Sequence, residues 1–158
     1  MSRLARMLLA AAVFAGLTVA GCAPAPAVDT SSIPPVAVEK ARIWIYRTFD
    51  PSESRNLATV LVNGAVTGYA QPAGGAFYRD VPPGRYHISV ESFGRDTDQS
   101  SNVDLAAGQE AFVKIESLNA WTTSGDLGSF TRDTFYARLI DPRLARTEVA
   151  HSKFDGGG

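Results

Sequence analysis

Few side chains in this chain have the types and spacing that a reaction needs. Hydrolysis takes a nucleophile, a base within hydrogen-bond reach and a group that orients the base, and the only histidines are His87 and His151. His87 falls on the polar row of an alternating segment, His151 lies in the terminal tail, and no Gly-x-Ser-x-Gly elbow accompanies either. Both read as surface residues. Asp96, Asp98, Ser100, Asn102 and Asp104 alternate like the first ligands of a calcium loop, but Ser101 stands at the glycine position and Ala107 at the bidentate glutamate position. A hairpin with one polar face accounts for the same spacing. Two histidines and one cysteine supply no zinc or copper set, and Gly74-Gly75 lacks the Lys-Ser/Thr and helix of a phosphate loop. No catalytic residue, metal or cofactor is expected, and the chain reads as a non-enzyme. What remains is Trp121, set among glycine, serine and threonine, with Asp126 and Tyr136 near it in sequence. These three are the candidate contacts for a sugar or a protein partner, by stacking and hydrogen bonding. A lid over one end of a β-sandwich would employ the same tryptophan.

The other reactive group is Cys22, the only cysteine, so no disulfide can form within the chain. Arg3 and Arg6 precede Met7 to Ala20, an apolar run shorter than the ~20 residues a permanent membrane helix needs. This is the pattern of an export signal. Val19-Ala20-Gly21-Cys22 resembles the lipobox of bacterial lipoproteins. That resemblance implies cleavage after residue 21 and two or three acyl chains, palmitate among them, on Cys22, enough for durable membrane attachment. Ala23, where an aspartate tends to retain such proteins at the inner membrane, points to the outer membrane, with the domain in the periplasm. Cleavage leaves 13 basic against 16 acidic residues, a net charge of −3. Such a surface has no general attraction for nucleic acid, which is not expected as a partner.

Residues 22–40, rich in proline, alanine and serine, read as a flexible spacer behind the 1–21 signal. Residues 41–150 read as one domain, and 151–158 as a disordered tail. Within the domain, Ala41 to Arg47 is apolar on both faces, Ile43 and Ile45 against Trp44 and Tyr46, which predicts a strand covered on both sides. Ala58 to Val62 and Ala65 to Ala70 flank Asn63-Gly64, the strongest hairpin signal in the chain. In Val81-Pro82-Pro83-Gly84 the spacing predicts a type II turn. After it Tyr86, Ile88 and Val90 alternate with Arg85, His87, Ser89 and Glu91, the period of a half-buried strand. Ser101 to Leu105 and Gln109 to Glu116 follow, the second with Ala111, Val113 and Ile115 as its inward row. Leu118 to Phe130 reads as a long irregular loop, Thr131 to Ile140 as a strand and Arg143 to Ala150 as a short helix. The class is all-β, an antiparallel β-sandwich of about seven to eight strands with a short C-terminal helix.

Ile45-Tyr46-Arg47, Val62-Asn63-Gly64, Phe77-Tyr78, Val81-Pro82-Pro83-Gly84 and Leu105-Ala106-Ala107-Gly108-Gln109 together carry a further likeness. Through them the region 41–150 resembles a family of small bacterial lipoproteins built on a domain of unknown function. The resemblance implies a prealbumin-like or carboxypeptidase-regulatory-like β-sandwich and transfers no catalytic residue. The Trp121 segment has no counterpart in that pattern. The expectation is therefore an envelope lipoprotein, held to the membrane through Cys22, acting as a non-catalytic interaction module for an envelope protein. The alternative is a module for glycan or peptidoglycan.

Overall fold

The chain is laid around one strand whose seven residues are all buried, Ala41–Arg47. The computed structural model describes residues 32–92, 98–118, 121–125 and 128–158, with the backbone alone for 121–125 and 128–132. Its elements are β1 (Ala41–Arg47), β2 (Ala58–Val62), β3 (Ala65–Ala70), β4 (Gly75–Val81), β5 (Gly84–Val90), β6 (Ser101–Leu105), β7 (Glu110–Ser117), β8 (Trp121–Gly125), β9 (Gly128–Arg132), β10 (Phe135–Leu139), α1 (Pro142–Ala150) and β11 (Phe154–Gly157). One sheet has the order β10-β7-β1-β4-β11 and the other β3-β2-β5-β6, with β8 and β9 forming a separate hairpin. This is the expected all-β sandwich with a short C-terminal helix. The four-stranded sheet is antiparallel throughout. The five-stranded sheet is mixed, because β1 runs parallel to β7 and β11 parallel to β4.

The double-sided apolar pattern of β1 explains its central place. Ile43 and Ile45 face the other sheet, where they meet Phe77, Val113, Ile115 and Phe135 of their own sheet and Val60, Ile88, Val90 and Leu105 of the opposite one. Each fully buried aliphatic side chain there stabilises the fold by about 1.5–3 kcal/mol. Trp44 and Tyr46 point the other way, into a second apolar layer with Tyr78, Phe112, Ala145 and Val149, capped by α1. Phe112 is buried on this outer face while Ala111, Val113 and Ile115 fill the inner one, so β7, like β1, is covered on both sides.

Several expectations are met at the level of single residues. Asn63 and Gly64 take the positive φ values of 51° and 81° that the hairpin needs, and β2 pairs with β3 across them. Ile88 and Val90 are buried while His87 is exposed. Others need correction. At Pro82-Pro83-Gly84 the glycine has φ 158°, not the value near +80° of a type II turn. The segment is a corner, since β4 belongs to one sheet and β5 to the other. Neither proline has an amide hydrogen, so the ladder cannot run on through them and the chain changes layer. Leu118 to Phe130, read as irregular, contains the β8–β9 hairpin. Residues 131–140, read as one strand, are divided at Asp133-Thr134 between β9 and β10. The terminal glycines, read as disordered, form β11 along β4, where the absence of a side chain at Gly157 leaves room for the ring of Tyr78.

The end of the spacer is also part of the domain. Ile33 packs on the outer apolar layer, the Arg42 guanidinium donates to the Pro34 carbonyl at 2.8 Å, and the Gly108 amide donates to the Lys40 carbonyl at 2.6 Å. Composition alone could not show this, because the partner surface is assembled from β1, β7 and α1. No helix among the described residues is long and apolar enough to cross a membrane.

Candidate functional site

The outer face of the five-stranded sheet carries a groove. Register places Trp44 of β1 beside Phe112 of β7 and Tyr78 of β4, so a row of rings crosses the strands. Trp44 lies parallel to Phe112 with centroids 6.2 Å apart, and Tyr78 meets it edge-on at 5.1 Å. Phe154 of β11 extends the row, 5.9 Å from Tyr78. Above the row, Ile33, Pro34, Pro35 and Val36 form one wall of a groove of about 540 Å³, and Arg146, Val149 and Ala150 of α1 form another. The helix holds its place through ordinary end chemistry. Asp141 caps it, its carboxylate accepting from the Arg143 amide at 2.9 Å, and Pro142 occupies the first turn.

The polar groups of this face are engaged with one another. Glu110 accepts from the Trp44 indole at 2.9 Å and from Arg146 at 3.0 Å. Arg42, 2% exposed, grips Asp80 with two hydrogen bonds of 2.6 and 2.9 Å, its guanidinium 3.7 Å from the Tyr78 ring centroid. That bidentate geometry keeps a charge in an aromatic layer at tolerable cost. Glu148 descends from α1 to accept from Tyr46 at 2.6 Å and Lys114 at 2.9 Å. Burial, then the hydrogen bond to Glu148, holds the Tyr46 hydroxyl far above its ordinary range, so it stays a donor. Burial pushes the Glu148 carboxyl up, but the bonds from Tyr46 and Lys114 outweigh it and hold the group below its ordinary value. Both glutamates are engaged in hydrogen bonds, and the groove is lined mainly by apolar and aromatic side chains.

A second concavity lies at the open end of the sandwich. Asn56, Leu57, Thr59, Glu91, Ser92, Asp133 and Phe135 line a cleft of about 310 Å³. Close by, Arg47, 1% exposed, donates to the carbonyls of Ser54 and Asn56 and forms an ion pair of 3.4 Å with Glu53.

The residues singled out from sequence do not converge on either place. Trp121 opens β8, opposite Arg132 in the hairpin. Tyr136 sits in β10 with its ring 4% exposed and the Arg138 guanidinium 4.7 Å from its centroid, so it presents no stacking surface. Asp126, Cys22 and the Val19, Ala20 and Gly21 before it lie outside the described residues, as does Asp96 of the calcium-like series. His87 faces solvent with its ring 3.0 Å from Asn102, and His151 ends α1 with its ring 2.7 Å from the Thr147 carbonyl. Asp104 is taken by Arg85 at 2.9 Å. Sequence reasoning missed Arg42, Glu110, Arg146 and Asp133. Arginines bracketing an otherwise apolar strand, at Arg42 and Arg47, were the one available signal, since such charges must find partners where the strand is buried. Comparison with models of known protein families, with curated proteins and with solved structures finds no match for this chain.

Proposed function

We propose that this is a lipid-anchored envelope protein of the outer membrane, attached through acylated Cys22, whose β-sandwich holds an extended, apolar segment of another envelope protein against its outer face. The observation that carries the reading is the groove over Trp44 and Phe112, one wall of which is the chain's own Ile33-Pro34-Pro35-Val36. An aromatic floor that already accommodates a proline-rich extended segment suits a partner segment of the same kind, which loses little conformational entropy on docking. The anchor sets where this happens. With Ile33 packed on the domain, residues 22–32 can reach at most about 40 Å, so the Ile33 wall of the groove lies within that distance of the membrane surface. The glycan alternative draws on Trp121, Asp126 and Tyr136. The burial of Tyr136 removes one of the three, which favours the protein reading.

A photoreactive residue placed in turn at Leu144 on α1, 57% exposed, and at His87 on the opposite sheet tests this in the native envelope. The expected result is a crosslink from Leu144, and none from His87, to an extended apolar segment of one defined envelope protein, identified by sequencing the linked peptide. Crosslinks of equal yield from both faces, or to glycan alone, would overturn it.

A further inference from the structure

The two sheets lie in matched order but differ by one strand. On one side β10 meets the start of β6, where the Ala137 amide donates to the Gln99 carbonyl at 3.0 Å and the Ala137 carbonyl accepts from Ser101 at 2.8 Å. The chain closes that edge itself. On the other side β3 lies over β4, since the bare Cα of Gly68 leaves room for the Phe77 ring and the Thr67 carbonyl accepts from Arg79 at 2.6 Å. There β11 carries the five-stranded sheet one strand past β4, whereas the four-stranded sheet stops at β3. The lane beside β3 and above β11 holds no strand among the described residues. Ala65–Ala70 contains neither the charges nor the prolines that guard exposed edges, and its one guard is a bulge at Thr67, which the register leaves without a partner in β2. The same shift sets Val66 opposite Leu61 and Tyr69 opposite Thr59, so both fall on the outward face, 56% and 54% exposed. Arg79 brings a charge to this edge. It donates to the Tyr78 and Thr67 carbonyls and forms no ion pair among the described residues.

We infer that β3 is a docking edge for an extended segment of another protein that carries a carboxylate, added to the four-stranded sheet as its fifth strand. The segment pairs its backbone with β3, lays β-branched or aromatic side chains beside Val66 and Tyr69, and brings its carboxylate to Arg79. A second copy of the domain does not fit the lane. Neighbouring strands are about 4.8 Å apart, so a twofold axis relating two β3 strands lies half that distance outside β3, and β11, a full lane out, would cross it into its own copy. The chain's spacer does not fit either, because Pro24 and Pro26 lack the amide hydrogens a ladder needs. The edge shares no residue with the groove over Trp44 and stands whether or not that groove binds a partner.

The test is titration of the purified full chain, followed by amide NMR shifts and hydrogen exchange, with acetyl-Thr-Val-Glu-Val-Thr-amide, with acetyl-Thr-Val-Gln-Val-Thr-amide and with acetyl-Thr-Pro-Glu-Pro-Thr-amide. Saturable shifts and slowed exchange at residues 65–70 are expected, with the glutamate peptide about threefold tighter than the glutamine one and the proline peptide not binding. Arg79→Gln removes the difference between the first two peptides. Val66→Thr combined with Tyr69→Thr keeps strand propensity, weakens both about fivefold and carries the test if Arg79→Gln does not fold. Equal affinity of the wild-type chain for the glutamate and glutamine peptides, binding of the proline peptide, shifts confined to other strands, no shifts, or self-association of the chain through β3 would each overturn the assignment.

Discussion

Beneath α1, Glu148 accepts from Tyr46 and Lys114, and Glu110 from Trp44 and Arg146. At the open end of the sandwich, Asp133 holds Asn56 with one oxygen and finds no described donor for the other. The same central sheet serves both regions, so the difference lies in how their polar groups are satisfied. Where donors and acceptors match, removing one partner leaves another stranded, and the contact holds the helix to the sheet. Where an acceptor is left over, stability gains little from it. Matched donors and acceptors hold the helix side together, whereas at the open end Asp133 Oδ1 and Arg47 Nε have no hydrogen-bond partner among the described residues.

Four substitutions break or sharpen that contrast, in descending order of effect. Ile45→Ala removes a fully buried side chain from the strand shared by both regions and should cost about 2–5 kcal/mol in urea unfolding. Glu148→Gln breaks only the helix-covered side. It should cost about 1–2 kcal/mol, since both Glu148 and Lys114 keep some exposure. It should also change the pH profile. A carboxyl whose folded pKa lies below its unfolded value near 4.5 stabilises above that value and loses the contribution as pH falls through the folded one. The acid limb of the unfolding midpoint should therefore be shallower in Glu148→Gln than in wild type. Asp141→Ala removes the cap of α1 and should cost about 0.5–2 kcal/mol, read as a lowered unfolding midpoint. Asp133→Asn should cost less than Glu148→Gln, under about 1 kcal/mol. Its amide oxygen can still accept from Asn56, and its NH₂ takes the place of an oxygen that had no donor. A loss as large as that of Glu148→Gln would erase the contrast between the regions.

Local chemistry made much of this architecture readable and left the rest dark. Asn63-Gly64, the alternation of Tyr86, Ile88 and Val90, and the two apolar faces of Ala41 to Arg47 each specify their own conformation, and each is found as read. Pairing between distant strands is not written locally. Nothing in Glu110 to Ser117 tells it to lie parallel to β1, and nothing in Pro82-Pro83-Gly84 separates a turn within a sheet from a corner between two. Ser-Thr-Gly composition hid the β8–β9 hairpin, where Trp121-Thr122-Thr123 and Phe130-Thr131-Arg132 have the residue types of paired strands. Asp141-Pro142 read as a strand stop, and the same pair is a cap and first helical residue. The groove and the cleft were the least legible. Each is assembled from segments far apart in the chain, and the unmatched oxygen of Asp133 is revealed only by packing.

The groove acts in the proposed setting only if the chain is fixed to the membrane by the thiol of Cys22. The direct measurement is metabolic labelling with an alkynyl palmitate analogue in cells carrying the wild-type chain or Cys22→Ser, followed by membrane fractionation. The account expects label on the wild-type protein in the outer-membrane fraction and none on Cys22→Ser, which should run as an unlabelled species. Equal label on both, or a wild-type protein that carries no label and leaves the membrane fraction, would contradict it.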